Sequence, residues 1–380
     1  MPGINCSYIE IKENIDLDLN NLFGFFYAKV ETNNNLYLGL LPIKTSLGLI
    51  LPNGEFEGVW SSEELKLAKA NGYEIEIKKG YNFNKVEGVF TEYVNELYQL
   101  KYSTEGAEKA INKSLLNNLL GRFGMNIIKP ITKTVTKEEL DFILSTREVK
   151  SFHEITKNDF LVTYLPLVDE QICLEHGLDF IKVLSKEKNH SIEKNIDIFK
   201  DVSIVISAMI TSYARIFMSK IKLEILNSGG KIFYSDTDSI VTNIDLNIIN
   251  SRLVGKELGQ FKLEYLIKEA YFISNKTYCL VLNNDKTIIK TKGVLNNSLT
   301  LEDFKTMYFK TKNVSGIKSY STKNYTKGYV SIDEKEITLS HDAYKKREKV
   351  FNKENLWMNT KPLIYNNVVK SIIHFSIKTK

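Results

Sequence analysis

Arginine, proline and cysteine are scarce in this 380-residue chain, and long apolar runs are missing. Five arginines stand beside 46 lysines, and six prolines are spread thinly. The three cysteines, Cys6, Cys173 and Cys279, are widely spaced and odd in number, which argues for reduced thiols over a disulfide framework. Cys173 and His176 could pair on a metal, but no second pair accompanies them, so a zinc site is not expected. No uninterrupted apolar stretch approaches the roughly 20 residues that span a bilayer. The N-terminus has neither a basic start nor an apolar signal core. These absences predict a soluble globular chain with no membrane partner and no mark for secretion.

What is present is more telling. An apolar fraction of 43% over this length supports a substantial core and about two or three domains. Lysine in place of arginine, with abundant Asn, Ile, Tyr and Phe, is the composition of an AT-rich gene, common in organellar DNA and also in phages and bacteria. The net charge of +5 is unevenly spread. From Leu301 onward 16 Lys/Arg face 8 Asp/Glu, whereas residues 1–300 carry 35 against 38. Tyr308, Tyr320, Tyr325, Tyr329, Tyr344 and Trp357 are interleaved with those lysines, a composition suited to a nucleic-acid backbone and its bases.

Residues 20–60 read as β-rich, with runs at Leu22–Val30 and Leu36–Pro42 separated by the turn-forming Thr32–Asn35. Ser61 or Ser62 caps a helix that ends at Asn71-Gly72, and a strand follows over Tyr73–Ile77. Phe90, Val94, Leu97 and Tyr98 recur at helical spacing. A second helix, Glu105–Leu120, sets Lys109, Lys113 and Asn117 on one face, with Ala107, Ile111, Leu115 and Leu119 on a face expected to pack. Residues 127–200 show weak periodicity and no assignable structure. Asp201 or Ser203 caps a long helix through Ile225 that stops at Ser228-Gly229-Gly230. Leu258–Glu264 reads as helix or loop, followed by strands at Ala270–Ile273, Lys276–Leu282 and Thr287–Lys290.

The glycine stop leads directly into Ile232-Phe233-Tyr234-Ser235-Asp236-Thr237-Asp238-Ser239-Ile240-Val241, two short strands meeting at a turn that carries both carboxylates. Alternation along a strand would put Asp236 and Asp238 on one face and Thr237 on the other. Two hard oxygen ligands so placed suit Mg²⁺, and metals held this way serve phosphoryl transfer. Asp-x-Asp alone is a weak signal, since it also occurs at Asp16-Leu17-Asp18. Tyr-x-Asp-Thr-Asp-Ser inside a hydrophobic hairpin is far more specific. It resembles the third polymerase motif of family B DNA polymerases.

Further segments resemble the same family in the same order. Lys113-Ser-Leu-Leu-Asn117-Asn118-Leu119-Leu120-Gly121-Arg122-Phe123 is similar to its second motif, which implies that Lys113 binds the triphosphate and that Asn117, Asn118, Leu120 and Gly121 line the nucleotide pocket. Lys101-Tyr-Ser-Thr-Glu-Gly106-Ala107 resembles the protein-primed branch, in which a second lysine, here Lys101, also holds the triphosphate. Lys276-Thr277-Tyr278 resembles that branch's Lys-x-Tyr motif at the primer terminus. Alternation would set Lys276 and Tyr278 on one strand face. With Tyr234, Ser235 and Thr237, these are the candidate DNA-binding residues, and Asp236 and Asp238 the candidate catalytic and metal-binding pair.

The resemblance, closest to polymerases of mitochondrial linear plasmids, implies an α+β right hand. Residues 1–84 would be partial palm and insertion, 85–125 fingers, 126–200 an insertion, 201–300 palm, and 301–380 thumb with the basic tail along duplex backbone. It implies a DNA-directed DNA polymerase using Mg²⁺, or Mn²⁺, in a two-metal mechanism. The implied partners are DNA primer-template, dNTPs and a terminal protein, for a monomer in the mitochondrion. Two departures qualify this. Leu120 replaces the family's tyrosine, losing an aromatic plane and a hydroxyl. The family's first motif, with a third catalytic carboxylate, is not found: Met1-Pro2-Gly3 resembles the stretch just after it, and Asp18–Gly24 is only superficially similar. The expectation is that this polypeptide alone does not polymerise. A non-catalytic nucleic-acid-binding remnant is the alternative, and a metal-dependent glycosyltransferase or phosphatase is disfavoured by the lysine motifs.

Overall fold

A computed structural model describes residues 1–10, 18–46, 48–126, 128–187, 202–325, 327–354 and 357–366. Asp16 and Asp201, and the basic stretch beyond residue 366, lie outside the described residues. The chain divides into two units, one made of Met1–Val89, Met209–Lys318 and Lys335–Lys380, the other of Phe90–Ala208 and Ser319–Glu334.

The first unit is built on an antiparallel sheet in the order β1-β6-β2-β5: β1 is Pro2–Glu10, β2 Gly24–Glu31, β5 Glu55–Ser61 and β6 Glu74–Lys85. Alternation in β2 buries Phe26, Ala28 and Val30, which meet Phe56, Trp60 and Leu65 in the core. The strands approach so closely that a Cβ on Gly24 would lie 1.9 Å from the Tyr81 carbonyl oxygen, so only glycine fits there. Between β2 and β5 run the short strands β3 (Ile43–Thr45) and β4 (Gly48–Ile50). Leu36–Pro42, expected as a strand, is irregular: buried Leu40 and Leu41 fix it from the side-chain end, while Asn53 Nδ2 donates to the Asn34 and Leu36 carbonyls in place of a ladder. Asp18 accepts from the Asn20 N–H and so caps a short 3-10 turn, Leu19–Asn21.

Helix α1, Ser62–Ala70, has Ser61 as its N-cap, with Oγ accepting from the Glu64 N–H at 3.1 Å. The Glu64 side chain, almost wholly buried, accepts from Ser212 Oγ at 2.5 Å and from Arg215 Nε at 2.6 Å. Ser212 and Arg215 belong to the long helix Ile204–Asn227 (α7 below), so this network clasps it to α1. By length and apolar composition that helix could span a bilayer; Met209, Ile216, Ile221 and Ile225 are buried, and Ser212 and Arg215 serve the clasp. Gly229, at φ 77°, ends it and turns the chain into the aspartate hairpin.

In the second unit, helices α2 (Thr91–Ser103) and α3 (Gly106–Phe123) pack together. The region without a sequence signal is ordered as β7 (Ile131–Thr136), α4 (Lys137–Thr146), β8 (Arg147–Glu154), β9 (Asp159–Val168), α5 (Glu170–Glu175) and α6 (Phe180–Glu187). Its sheet runs β7-β9-β8, with α4 packing Leu140 and Ile143 on Val135 and Val162. Helix α7 follows, and from Met209 the chain is back in the first unit, with β10 (Ile232–Asp236), β11 (Ser239–Thr242), α8 (Leu246–Asn250), β12 (Ile267–Ser274), β13 (Thr277–Leu282) and β14 (Thr287–Lys290). Leu258–Glu264 is loop. Helix α9 (Leu301–Phe309) lays Phe304 and Met307 on the β12-β13-β14 sheet, and the hairpins β15 (Val314–Asn324)–β16 (Tyr329–Leu339) and β17 (Arg347–Phe351)–β18 (Trp357–Pro362) close the described chain.

Candidate functional site

β10 and β11 pair in register, Tyr234 opposite Val241 and Asp236 opposite Ser239, leaving Thr237 and Asp238 as a two-residue turn. Asp236 therefore ends a strand while Asp238 sits in the turn. The expected same-face alternation does not govern the pair, because the turn interrupts the pleat between them. Thr237 holds φ at 47°, a left-handed conformation that a β-branched residue adopts only when its surroundings impose it, at a cost of about 1–3 kcal/mol. The Asp238 N–H donates to the Asp236 carbonyl at 2.6 Å, and Ser239 Oγ donates to the same oxygen at 3.1 Å. Ser235 lies on the face of β10 opposite Tyr234 and Asp236.

The two carboxylates differ in their partners. Asp236 Oδ2 accepts from the Lys276 ammonium at 2.5 Å and Oδ1 from Thr237 Oγ1 at 3.3 Å. Asp238 is exposed, and its carboxylate has no partner among the described residues. Lys276 is not the first residue of a strand, as alternation suggested. It occupies the Asn275-Lys276 turn between β12 and β13 at φ 59°, and its backbone N–H donates to Tyr234 Oη at 2.9 Å. The turn, not the pleat, aims its side chain across to the neighbouring hairpin.

Tyr278 reaches the same place from β13. Tyr234 stacks on Phe272 at 5.0 Å and 4° between planes, and meets Tyr278 at 5.1 Å and 56°. Phe272 is a site residue that sequence reasoning missed; pairing across the Asn275-Lys276 turn, which sets it opposite Tyr278, was the available signal. Burial pushes the Tyr234 phenol up against the lowering effect of the Lys276 N–H, and burial followed by Tyr234 and Asp236 pushes Tyr278 up. The hydrogen bond to Asp236 raises the Lys276 ammonium. At neutral pH the cluster thus presents two neutral phenols and a fixed cation beside one carboxylate, with a second carboxylate open to a cation. Among the described residues no three His, Cys, Asp or Glu side chains gather into a metal centre. The Asp238 oxygens nevertheless have the hard-donor chemistry that divalent cations take.

The nucleotide-binding candidates lie in the second unit. The Lys101 ammonium sits 5.7 Å from the Tyr98 ring centre and 5.5 Å from that of Tyr102. Lys113 and Asn117 stand one turn apart on α3, both exposed, and the Lys113 ammonium has no partner among the described residues. Asn118 Nδ2 donates to Ser114 Oγ at 2.9 Å. The side chain of Leu120 lies outside the described residues. A Cβ built on Gly121 would meet nothing within 4 Å, so packing does not demand glycine there. The face expected to pack is open, with Ile111 57% and Leu115 45% exposed. It is Asn112, 7% exposed, that faces inward, where α3 packs on α2, with Nδ2 donating to Thr104 Oγ1 at 3.4 Å.

Residues 1–224 match a family model described as DNA polymerase type B, organellar and viral. The chain belongs to that family. A probable DNA polymerase of Podospora anserina is 50% identical over 373 residues, covering 96% of this chain and 30% of that protein. One from Ascobolus immersus is 30% identical over 375 residues, covering 94% and 28%. The chain therefore spans under a third of the length of these curated relatives. A solved structure of phi29 DNA polymerase complexed with primer-template DNA superposes with a TM-score of 0.60 at 19% identity, over 89% of this chain and 54% of that one. The likeness establishes the fold, the α+β right hand that the motifs implied. The family match takes in Lys101 through Gly121, while the aspartate hairpin lies beyond it.

Proposed function

We propose that this type B chain supplies part of the nucleotidyl-transfer site of a DNA-directed DNA polymerase of the protein-primed branch, without polymerising alone, and that it serves a linear plasmid or organellar replicon in the mitochondrion. The observation that carries the reading is the difference between the carboxylates at the hairpin: Lys276 holds Asp236, and the Asp238 carboxylate has no partner among the described residues. Mg²⁺ or Mn²⁺, when bound, would supply charge neutralisation and Lewis acidity for attack of a primer 3′-hydroxyl, or of a terminal-protein hydroxyl, on the α-phosphate of a dNTP, with loss of the hydroxyl proton and departure of pyrophosphate. Asp238 offers the direct carboxylate, and Asp236 anchors the neighbouring turn. Lys276 presents its charge and Tyr278 its ring to the primer end, while Tyr234, Ser235 and Thr237 shape the adjoining surface. Lys101, beside the paired Tyr98 and Tyr102 rings, and Lys113 neutralise the triphosphate. Asn117, Asn118, Leu120 and Gly121 border the nucleotide.

The test is retention of radiolabelled dNTP by the chain with primer-template and Mn²⁺. The expected result is retention of the dNTP complementary to the template base, reduced at least about tenfold in Asp238→Asn and in Lys113→Ala, the scale of removing one charge-assisted hydrogen bond. DNA binding with no metal-dependent, base-matched retention would sink this reading and favour a non-catalytic nucleic-acid-binding protein.

A further inference from the structure

A cavity of about 320 Å³ lies in the first unit at the base of the aspartate hairpin, walled by Tyr37, Gly230, Lys231, Phe233, Met358 and Asn359 among others. That volume is at the lower end of small-ligand sites, about 300–1,000 Å³. Phe233 and Tyr234 point to opposite faces of β10; Ile232 and Phe233 line the cavity, and neither Tyr234 nor Asp236 does. No carboxylate lines it.

One cation lines it and two more adjoin its wall residues, none forming an ion pair among the described residues. The exposed Lys231 ammonium, in the wall, has no partner among the described residues. Arg347 donates to the Tyr37 carbonyl at 2.8 Å, and its guanidinium lies 5.1 Å from the centre of the Tyr37 ring. Lys222, on α7 one turn before the wall residue Leu226, forms no ion pair among the described residues. Burial, and then the charge of Arg347, holds its ammonium below the usual lysine range. Burial also lowers Arg347. Two partly buried like charges without a carboxylate between them are costly to each other, and a bound anion relieves that cost. Phe233 and Met358, 53% and 66% exposed, add apolar surface at the same place.

We propose that this cavity is a second nucleotide site, with a nucleobase against the Tyr37 and Phe233 rings and a phosphate directed to Lys231, in the field of Arg347 and Lys222. A base offers a flat face to the rings, a phosphate answers the uncompensated cations, and the two together match the size. The occupant is either a free mononucleotide or one residue of a single strand, since both present the same chemistry. The site stands apart from the carboxylates and needs no metal.

The experiment is calorimetric titration of the 380-residue chain with thymidine 5′-monophosphate, thymidine and a pentathymidylate, all in EDTA so that metal-dependent binding is silent. Saturable binding of the monophosphate or the pentamer, but not of thymidine, is expected. Lys231→Ala and Lys222→Met should each weaken it about tenfold, and Asp238→Asn should leave it unchanged. Lys231 is exposed, and matching thermal unfolding of Lys231→Ala and the parent chain would establish that its fold is intact. Equal affinity per site for monophosphate and pentamer assigns a free nucleotide, and binding of the pentamer alone assigns a single strand. Absence of any saturable binding in EDTA that both lysine substitutions weaken overturns the proposal; pentamer binding that they leave unchanged belongs to the primer-template surface.

Discussion

Asp236 and Asp238 are two residues apart in sequence and opposite in circumstance. Motif spacing made both candidate metal ligands; the turn and a lysine 40 positions away give them different surroundings. The residue types were legible because Tyr-x-Asp-Thr-Asp-Ser is specific. Their division was not, because it depends on a positive φ at Thr237 and at Lys276, which neither residue type favours. Other residues with strong environments are phenols. Burial, reinforced by a hydrogen bond to a glutamate, pushes Tyr27 up to about 12 through Glu57 and Tyr271 up to about 12 through Glu269. Against an ordinary tyrosine value of about 10, both folded values are raised. Their stabilisation is therefore complete below about pH 10 and is lost as pH climbs through about 12. Phenolate absorbance should show these two residues ionising last in the folded chain, and the unfolding midpoint should fall more gently between about pH 10 and 12 in Tyr27→Phe. An unchanged pH slope in that variant would contradict the assignment.

At the level of elements, caps and glycine stops were readable: Ser61 caps α1, and Gly229 ends α7. The 131–187 region was not, although Thr136-x-x-Glu139 forms a capping box and Asp169 caps α5. Its strands carry Thr, Lys and Ser on their open positions, so alternation is diluted, and its core is confined to a few residues around Val135, Leu140 and Val162. Helix α3 misled for the converse reason: a stripe of Ile111 and Leu115 looks like a packing face, yet it is exposed. The clasp of α7 on α1 was invisible because Ser61, Glu64, Ser212 and Arg215 are ordinary surface types that become a buried network only when the helices meet. Arg215→Met leaves the buried Glu64 carboxylate without its cation, and should destabilise by about 3 kcal/mol in urea unfolding, the scale for breaking such a pair. Glu64→Gln should cost less, since Arg215 is 38% exposed and can hydrate. The reverse order would show that the carboxylate is not sustained by the arginine.

At the scale of the molecule, family and fold were legible from four short motifs taken in order, since each alone is weak and their succession is not. The basic C-terminal composition, by contrast, proved to be two things. Tyr308 stacks with Trp357 at 5.8 Å as part of the packing, whereas Tyr320, Tyr325 and Tyr329 stand exposed on the β15–β16 hairpin with Lys318, Lys323 and Lys327. Of these two described groups, the second is the one open to a nucleic-acid backbone. Replacing those three lysines with glutamine should make log affinity for duplex DNA fall less steeply with log salt, by about 1 in slope for each phosphate that is no longer neutralised. An unaltered slope would place the DNA-binding surface elsewhere on the chain.

The hairpin is most directly examined by Mn²⁺ electron paramagnetic resonance on the chain with primer-template and a dNTP. Asp238→Asn should release most of the bound Mn²⁺, while Lys276→Met, which frees Asp236 without touching Asp238, should retain it or bind it more tightly. Unchanged Mn²⁺ binding in Asp238→Asn, together with its loss in Asp236→Asn, would assign the metal to the carboxylate that Lys276 holds and contradict the division of roles at this turn.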